Sequence, residues 1–152
     1  MNSVFVDASV LFAAAYSRTG SARDLFRLAL EGKVTLVISS IVLEEAERNL
    51  SNKAPTKVEF FKMLIELIPF EFVSDLTKEE LLEAAAYTHL KDAPIIAAAR
   101  KAQAEYLVTY DRKHLIDPPE VAEKSGLTIV TPDVVVQAIQ ESDDNPNDTG
   151  SN

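Results

Sequence analysis

The chain of 152 residues contains no cysteine, and only four of its residues are glycine. The absence of cysteine excludes disulfide bonds, cysteine-ligated zinc sites and a thiol nucleophile. The sequence also has no basic segment followed by a long apolar run, so we expect neither a signal peptide nor a membrane span. The expected location is therefore the reducing cytoplasm.

Basic residues are in the minority, because 15 lysines and arginines face 24 aspartates and glutamates, for a formal net charge of -9. This balance argues against strong nonspecific binding of nucleic acid, which depends on neutralisation of phosphates by lysine and arginine. Much of the acidic excess lies at residues 141–152, which offer no apolar side chain to bury. We expect one domain over residues 1–140 and an acidic disordered tail over residues 141–152.

Short apolar strands alternate with amphipathic helices through the whole predicted domain. The predicted strands cover residues 4–6, 34–38, 70–73, 106–108 and 127–130. Such an alternation is typical of a parallel sheet that helices cover on both faces. The predicted fold class is α/β, a three-layer α/β/α sandwich with a central parallel sheet.

Two local patterns predict where helices begin and where they cannot continue. Ser21 and Asp24 have the spacing of a capping box, so they predict the start of a helix. Pro118 and Pro119 predict a break in the chain after a short turn at residues 112–115.

Four acidic residues lie at or near the junctions between these elements: Asp7, Glu45, Asp92 and Asp111. Asp7 and Asp111 follow strands, and the carboxyl ends of parallel strands meet at one edge of a sheet, where α/β folds bind their ligands. Asp92 opens the helix that leads into the second of these strands. Glu45 lies one turn into the helix after strand 34–38, on the inner side of that helix. We therefore expect the four carboxylates to converge.

Converging carboxylates repel one another, and two of them about 5 Å apart cost about 3 kcal/mol at an effective dielectric constant of about 20. Such a cluster is stable only if a cation neutralises the negative charge or if some of the carboxylates are protonated. An all-oxygen site of this kind suits Mg²⁺ or Mn²⁺. Such an ion activates water and stabilises displacement at phosphorus, so the pattern indicates hydrolysis of a phosphodiester.

A simpler role is open for each of these acids. Asp7, Asp92 and Asp111 all precede a helix or a helical turn, where an aspartate often caps the free backbone amides. A glutamate such as Glu45 is commonly a solvated residue on a helix surface. Spacing alone leaves the metal site and these roles as alternatives.

At these residues the sequence resembles the PIN domain family, metal-dependent nucleases that include the VapC-type toxins of toxin–antitoxin systems. The resemblance covers residues 4–139, and its motifs are residues 6–11, 43–50, 92–96, 109–111 and 130–132. It implies a PIN-like fold, the cofactor Mg²⁺ or Mn²⁺, an endoribonuclease acting on single-stranded or looped RNA, a cognate antitoxin as partner and a homodimer. The catalytic and metal-binding residues would be Asp7, Glu45, Asp92 and Asp111, and Ser9 and Thr109 would support them.

Two residues depart from the usual pattern of this family. Tyr110 stands where a small residue is common, and its ring is able to stack on a base. Lys91 stands where many relatives carry another acid, which predicts weak affinity for a second metal ion. Together with Arg112 and Lys113, these residues are the candidate contacts to RNA.

Other classes of function compete with the nuclease. The acidic balance and the lack of a basic track also suit an interaction module that keeps the fold without catalysis. A phosphoacceptor receiver needs an acidic pair directly after the first strand, and a dinucleotide enzyme needs a glycine-rich turn after Val6. Neither is present. His89 and His114 lack the spacing of metal ligands and a paired nucleophile, so the sequence assigns them no catalytic role.

Overall fold

The computed structural model describes residues 2–144, and its centre is a single sheet of five parallel strands. The strands are β1 (Ser3–Val6), β2 (Thr35–Ile38), β3 (Glu71–Phe72), β4 (Tyr106–Val108) and β5 (Thr128–Val130). Their order across the sheet is β3-β2-β1-β4-β5, and every neighbouring pair is parallel. The predicted parallel sheet is confirmed.

Eight α-helices lie within residues 2–144 and flank the sheet. They are α1 (Ala8–Tyr16), α2 (Ser21–Leu30), α3 (Ser40–Lys53), α4 (Val58–Leu67), α5 (Lys78–Ala85), α6 (Ala93–Lys101), α7 (Pro119–Ser125) and α8 (Pro132–Asp144). A 3₁₀ turn at Pro55–Lys57 precedes α4, and a π-helical turn at Arg112–Ile116 follows β4. None of these helices combines the length and the apolar character needed to cross a membrane.

The central strand β1 lies where the order of the strands reverses. From β1 the chain builds β2 and β3 on one side, and it later returns to build β4 and β5 on the other. At such a switch point the connections leave neighbouring strands in opposite directions and open a crevice beyond their carboxyl ends. Val6 pairs with Val108, so Asp7 and Thr109 leave the two strands side by side. The strands that precede Asp7 and Asp111 are therefore neighbours, as the expected convergence of these two acids requires.

The start of helix α2 differs from the prediction. Ser21 is the first helical residue, and the N-cap is Gly20, which has a φ of 111° and no side chain with which to bond the helix. The hydroxyl of Ser21 lies instead 3.1 Å from the hydroxyl of Tyr110. The predicted capping box of Ser21 and Asp24 is therefore wrong, because the helix begins one residue earlier than a capping box at Ser21 requires.

Helix α7 begins inside the predicted break, at Pro119, and ends before Gly126. A proline is acceptable at this place because the first amide of a helix has no partner within the helix.

Helix α8 continues to Asp144, four residues beyond the predicted boundary at residue 140. Residues 145–152 of the predicted tail lie outside the described range.

Candidate active site

Asp7 follows β1, and two hydroxyl groups converge on its carboxylate. Ser9 Oγ donates a hydrogen bond of 2.9 Å to Asp7 Oδ2, and Thr109 Oγ1 donates one of 2.7 Å to the same atom. Asp7 is buried, and although it precedes α1, its side chain accepts no capping hydrogen bond from a backbone amide of that helix. Helix capping therefore does not account for Asp7.

The same two hydroxyls also hold the loop that follows β4. The backbone amide of Tyr110 donates to Ser9 Oγ at 3.1 Å, and that of Asp111 donates to Thr109 Oγ1 at 3.0 Å. Each hydroxyl thus gives its proton to Asp7 and accepts an amide proton from the loop, which uses its donor and one of its acceptor positions. The network fixes the Asp7 carboxylate relative to the backbone of Asp111.

Asp92 precedes helix α6, but its side chain does not cap that helix. It is only 5% exposed, and its Oδ2 atom is buried without a hydrogen-bond partner among residues 2–144. Burial, followed by the negative charge of Asp111, raises the pKa of the Asp92 carboxyl. A buried carboxylate oxygen without a partner is costly, and a cation beside it would remove that cost.

Asp111 begins the π-helical turn and contacts one residue of that turn twice. The backbone amide of His114 donates to Asp111 Oδ1 at 3.1 Å, and His114 Nδ1 lies 3.4 Å from Asp111 Oδ2. Capping therefore explains one oxygen of Asp111 but neither Asp7 nor Asp92. Because the amide of Ile116 reaches back five residues to the carbonyl of Asp111, the turn is wider than an α-helical one. Single π-turns of this kind are frequent at functional sites.

Glu45 reaches the same region from helix α3. Its side chain is half-buried, whereas that of Glu44 is exposed, as the inner side of the helix predicts. Burial and then the charge of Asp7 raise the pKa of the Glu45 carboxyl, and Asp92 contributes in the same direction. The exposed Lys91 opposes the rise in the pKa of both Glu45 and Asp92, so it supplies positive charge beside the acids.

The structure thus brings the four predicted acids to one place at the switch point. Ligand atoms of Asp92, Asp111 and His114 lie within 4.8 Å of one another, close enough to share one ion. Carboxylate oxygens are the preferred ligands of Mg²⁺ and Mn²⁺ in proteins. Together with the buried, unpartnered oxygen of Asp92, this set of donor atoms fits a divalent cation.

The residues predicted to contact RNA are all exposed and surround the acids, but they do not form one continuous basic surface. Tyr110 is 41% exposed and bonds toward α2, whereas Arg112 and Lys113 lie on the π-helical turn. Lys91 lies directly before Asp92, at the start of α6.

Two histidines to which the sequence assigns no role lie beside the acids. The rings of His89 and His114 lie 4.7 Å apart at their centroids with an angle of 70° between their planes, and His114 also contacts Asp111. The only signal in the sequence is that His114 stands three residues after Asp111, a spacing at which a helical turn brings two side chains together.

A family model described as PIN domain matches residues 3–113. The chain belongs to the PIN domain family. The matched segment contains all four acids and both supporting hydroxyls, and it ends one residue before His114. The family resemblance seen in the sequence is confirmed.

Solved structures of low sequence identity share the fold of this PIN domain. PAE2754 from Pyrobaculum aerophilum aligns with a TM-score of 0.65 at 19% identity, over 92% of this chain and 96% of that one. VapBC2 from Rickettsia felis, bound to a DNA fragment from its promoter, aligns at 0.58 with 17% identity, over 84% and 96% of the two chains. The sarcin-ricin loop cleaving toxin VapC20 from Mycobacterium tuberculosis aligns at 0.52 with 19% identity, over 72% and 91%. A comparison with curated protein sequences finds no match.

Proposed function

We propose that this PIN domain is a metal-dependent endoribonuclease that hydrolyses phosphodiester bonds in single-stranded or looped RNA. The observation that carries the proposal is the Asp92 carboxylate beside Asp111, whose buried Oδ2 has no hydrogen-bond partner among residues 2–144. Neither Asp92 nor Asp7 caps the helix that follows it. The family and the sarcin-ricin loop cleaving neighbour support this choice of reaction.

The residues that would hold Mg²⁺ or Mn²⁺ are Asp7, Glu45, Asp92 and Asp111. When bound, the ion would polarise the scissile phosphate and lower the pKa of a water molecule that attacks phosphorus. The removal of one acidic oxygen from this set should therefore weaken both metal binding and cleavage.

The other side chains of the site would orient the metal ligands and attract the substrate. Ser9 and Thr109 orient the Asp7 carboxylate through the two hydrogen bonds to Oδ2, so that it meets the ion without rearrangement. Glu45 reaches the cluster from α3 and adds one more carboxylate to the set that would hold the ion. Lys91 places a positive charge beside the acids, where the scissile phosphate would approach.

Cleavage of a labelled single-stranded RNA tests the proposal. The wild-type protein should cut it with Mg²⁺ or Mn²⁺ and not with a chelator. Asp92→Asn should slow cleavage by about a hundredfold, since even outer partners of metal ligands are worth about ten- to a hundredfold. The matched control is Asp75→Asn, an exposed aspartate before α5, which should retain activity. Equal rates for the two variants, or cleavage that needs no metal, would refute the proposal.

The protein is further proposed to be the toxin of a toxin–antitoxin pair. Its structural neighbours include VapBC2 from Rickettsia felis and FitAcB from Neisseria gonorrhoeae, the latter with a TM-score of 0.57 and 14% identity over 85% of this chain and 97% of that one. A cognate antitoxin would block the cleft by placing a basic side chain among the carboxylates. The product of an adjacent reading frame, a small DNA-binding protein, should therefore suppress cleavage when added in equimolar amount. The homodimer stays a prediction, and sedimentation of the purified protein tests it.

A further inference from the structure

A groove of about 650 Å³ lies beside the acidic cluster and is not part of it. The turn that follows α5 borders the groove with His89, and the π-helical turn and α7 border it with Lys113, His114 and Lys124. Of these residues only His114 also belongs to the group of possible metal ligands. The groove therefore opens next to the place where the scissile phosphate would lie.

The charge of the groove is opposite to that of the whole chain. Lys113 and Lys124 line it together with one acid, Glu120, whereas the formal net charge of the chain is -9. Both lysines are exposed, and neither forms a salt bridge with any residue of the described range. Free ammonium groups beside an acidic cluster offer a local attraction for phosphates on a chain whose overall charge would repel them.

The exposed ring of His89 supplies a stacking surface at the end of the groove that is nearer the acids, and His114 holds that ring. His89 is exposed, and its ring meets that of His114 edge to face at 4.7 Å. His114 in turn lies 3.4 Å from Asp111, so a base against these rings is adjacent to the cluster. Proteins that bind single-stranded RNA place unstacked bases on flat side chains of this kind, histidine among them.

The volume of the groove suits a short piece of an extended strand. Binding sites of a few hundred to about 1,000 Å³ bury ligands the size of a drug molecule, which is about one or two nucleotides. A folded RNA helix is too wide for such a groove, so the geometry favours a single strand.

We infer that this groove binds the nucleotides next to the scissile phosphate of a single-stranded RNA. A base stacks on the exposed ring of His89, which the edge-to-face contact with His114 holds in place, and the flanking phosphates lie against Lys113 and Lys124. The inference rests on the proposed function, because it takes the acidic cluster as the place of cleavage.

Binding of a short fluorescent RNA, followed by anisotropy between about 50 and 200 mM salt, tests the groove. The Asp92→Asn protein serves as the background so that the RNA stays intact. In it, the pair Lys113→Ala and Lys124→Ala should weaken binding about tenfold. It should also reduce the slope of log K against log salt by about 1.4, since each phosphate contact to a single strand contributes about 0.7. His89→Ala should weaken binding about tenfold and leave that slope unchanged, because stacking carries no charge.

The matched control removes the same charge elsewhere. Lys62→Ala with Lys78→Ala changes two exposed lysines on α4 and α5 that do not line the groove. If both lysine pairs lose the same affinity and the same salt slope, the groove does not bind the RNA, because the loss would then come from the change in net charge alone. Wild-type cleavage of the same RNA is measured in parallel. If the wild type cleaves the RNA but the two lysine pairs lose equal affinity, the groove is not the binding site and the proposed nuclease function still holds. If the wild type fails to cleave the RNA with any metal, both the nuclease function and the groove as its subsite are rejected.

Discussion

The hydroxyl of Thr109 donates a 2.7 Å hydrogen bond to the carboxylate of Asp7, although the two residues stand 102 positions apart in the chain. They follow the neighbouring strands β1 and β4, so this contact spans the crevice at the switch point of the sheet. Thr109 is fully buried and also accepts the amide proton of Asp111. One hydroxyl thus fixes the geometry between two of the four acids.

Replacement of this hydroxyl should affect both the fold and the site. Thr109→Val keeps the shape of the side chain but leaves the half-buried amide of Asp111 and the buried carboxylate oxygen of Asp7 each without one partner. The free energy of unfolding should fall by about 1–3 kcal/mol in urea denaturation, and cleavage should slow by about tenfold. Thr109→Ser should recover most of both, and Thr128→Val, on the exposed part of β5, should change neither. Wild-type cleavage by Thr109→Val would show that the hydroxyl does not position Asp7.

Two adjacent glutamates of α3 provide a test of which side of that helix faces the site. Glu45→Gln should reduce cleavage by about a hundredfold, because it removes one of the acidic oxygen ligands of the ion. Glu44→Gln removes the same charge from an exposed position and should stay within about twofold of wild type. Initial rates on one labelled RNA are the measurement. If Glu44→Gln instead slows cleavage more than Glu45→Gln does, Glu44 and not Glu45 belongs to the site.

Stability without metal should depend on pH through the raised pKa of Glu45 and Asp92. Burial and neighbouring carboxylates raise both pKa values, so the folded protein holds protons that the unfolded chain has already released. Between the unfolded pKa, about 4, and the raised folded value, the free energy of unfolding due to these groups therefore falls as pH rises. Other carboxyls behave oppositely, since the hydrogen bond from the backbone of Thr77 lowers the pKa of Glu80.

A variant separates the two opposing effects. In chelator, Asp92→Asn should unfold at a temperature about 2–4 °C above wild type at pH 7, the shift expected for about 1 kcal/mol in a chain of this size. The difference should shrink as pH falls, because the wild-type carboxyl takes up a proton once the pH is below its raised pKa. Thermal unfolding of both proteins from pH 4 to 8 provides the comparison. A difference that stays constant with pH would contradict the assigned repulsion.

The capping box of α5 should contribute to the stability of the fold and not to cleavage. Thr77 Oγ1 accepts from the amide of Glu80 at 3.1 Å, and the amide of Thr77 donates to Glu80 Oε1 at 2.7 Å. Thr77→Ala should lower the free energy of unfolding by about 1 kcal/mol and leave the cleavage rate of the folded protein unchanged. Thr56→Ala, in the exposed 3₁₀ turn, is the control and should change neither quantity. A loss of activity in Thr77→Ala at full folding would connect α5 to the site.

The convergence of the acids was predictable because it depends on rules of regular structure. Parallel strands end at one edge of the sheet, which brings Asp7 and Asp111 together once β1 and β4 are neighbours. Helix periodicity distinguishes Glu45 from Glu44. The family motifs supplied the rest, including the supporting hydroxyls of Ser9 and Thr109.

The histidines and the groove could not be predicted in this way. His114 reaches Asp111 through a π-helical turn, whose hydrogen bonds span five residues and leave no periodic pattern in the sequence. His89 meets His114 only because the turn after α5 packs against that after β4, a contact between distant parts of the chain. The start of α7 at Pro119 was missed because the same residue that interrupts a helix is also accepted at its first position.

Calorimetric titration of Mn²⁺ into the wild-type protein and Asp92→Asn tests the central claim most directly, since it needs neither the right RNA nor a partner. We expect one class of site at the acids in the wild type. We also expect an affinity at least about tenfold lower in Asp92→Asn, together with a smaller rise in melting temperature on addition of the ion. An Asp92→Asn protein that binds Mn²⁺ as tightly as the wild type, with the same rise in melting temperature, would place Asp92 outside the site and contradict the account.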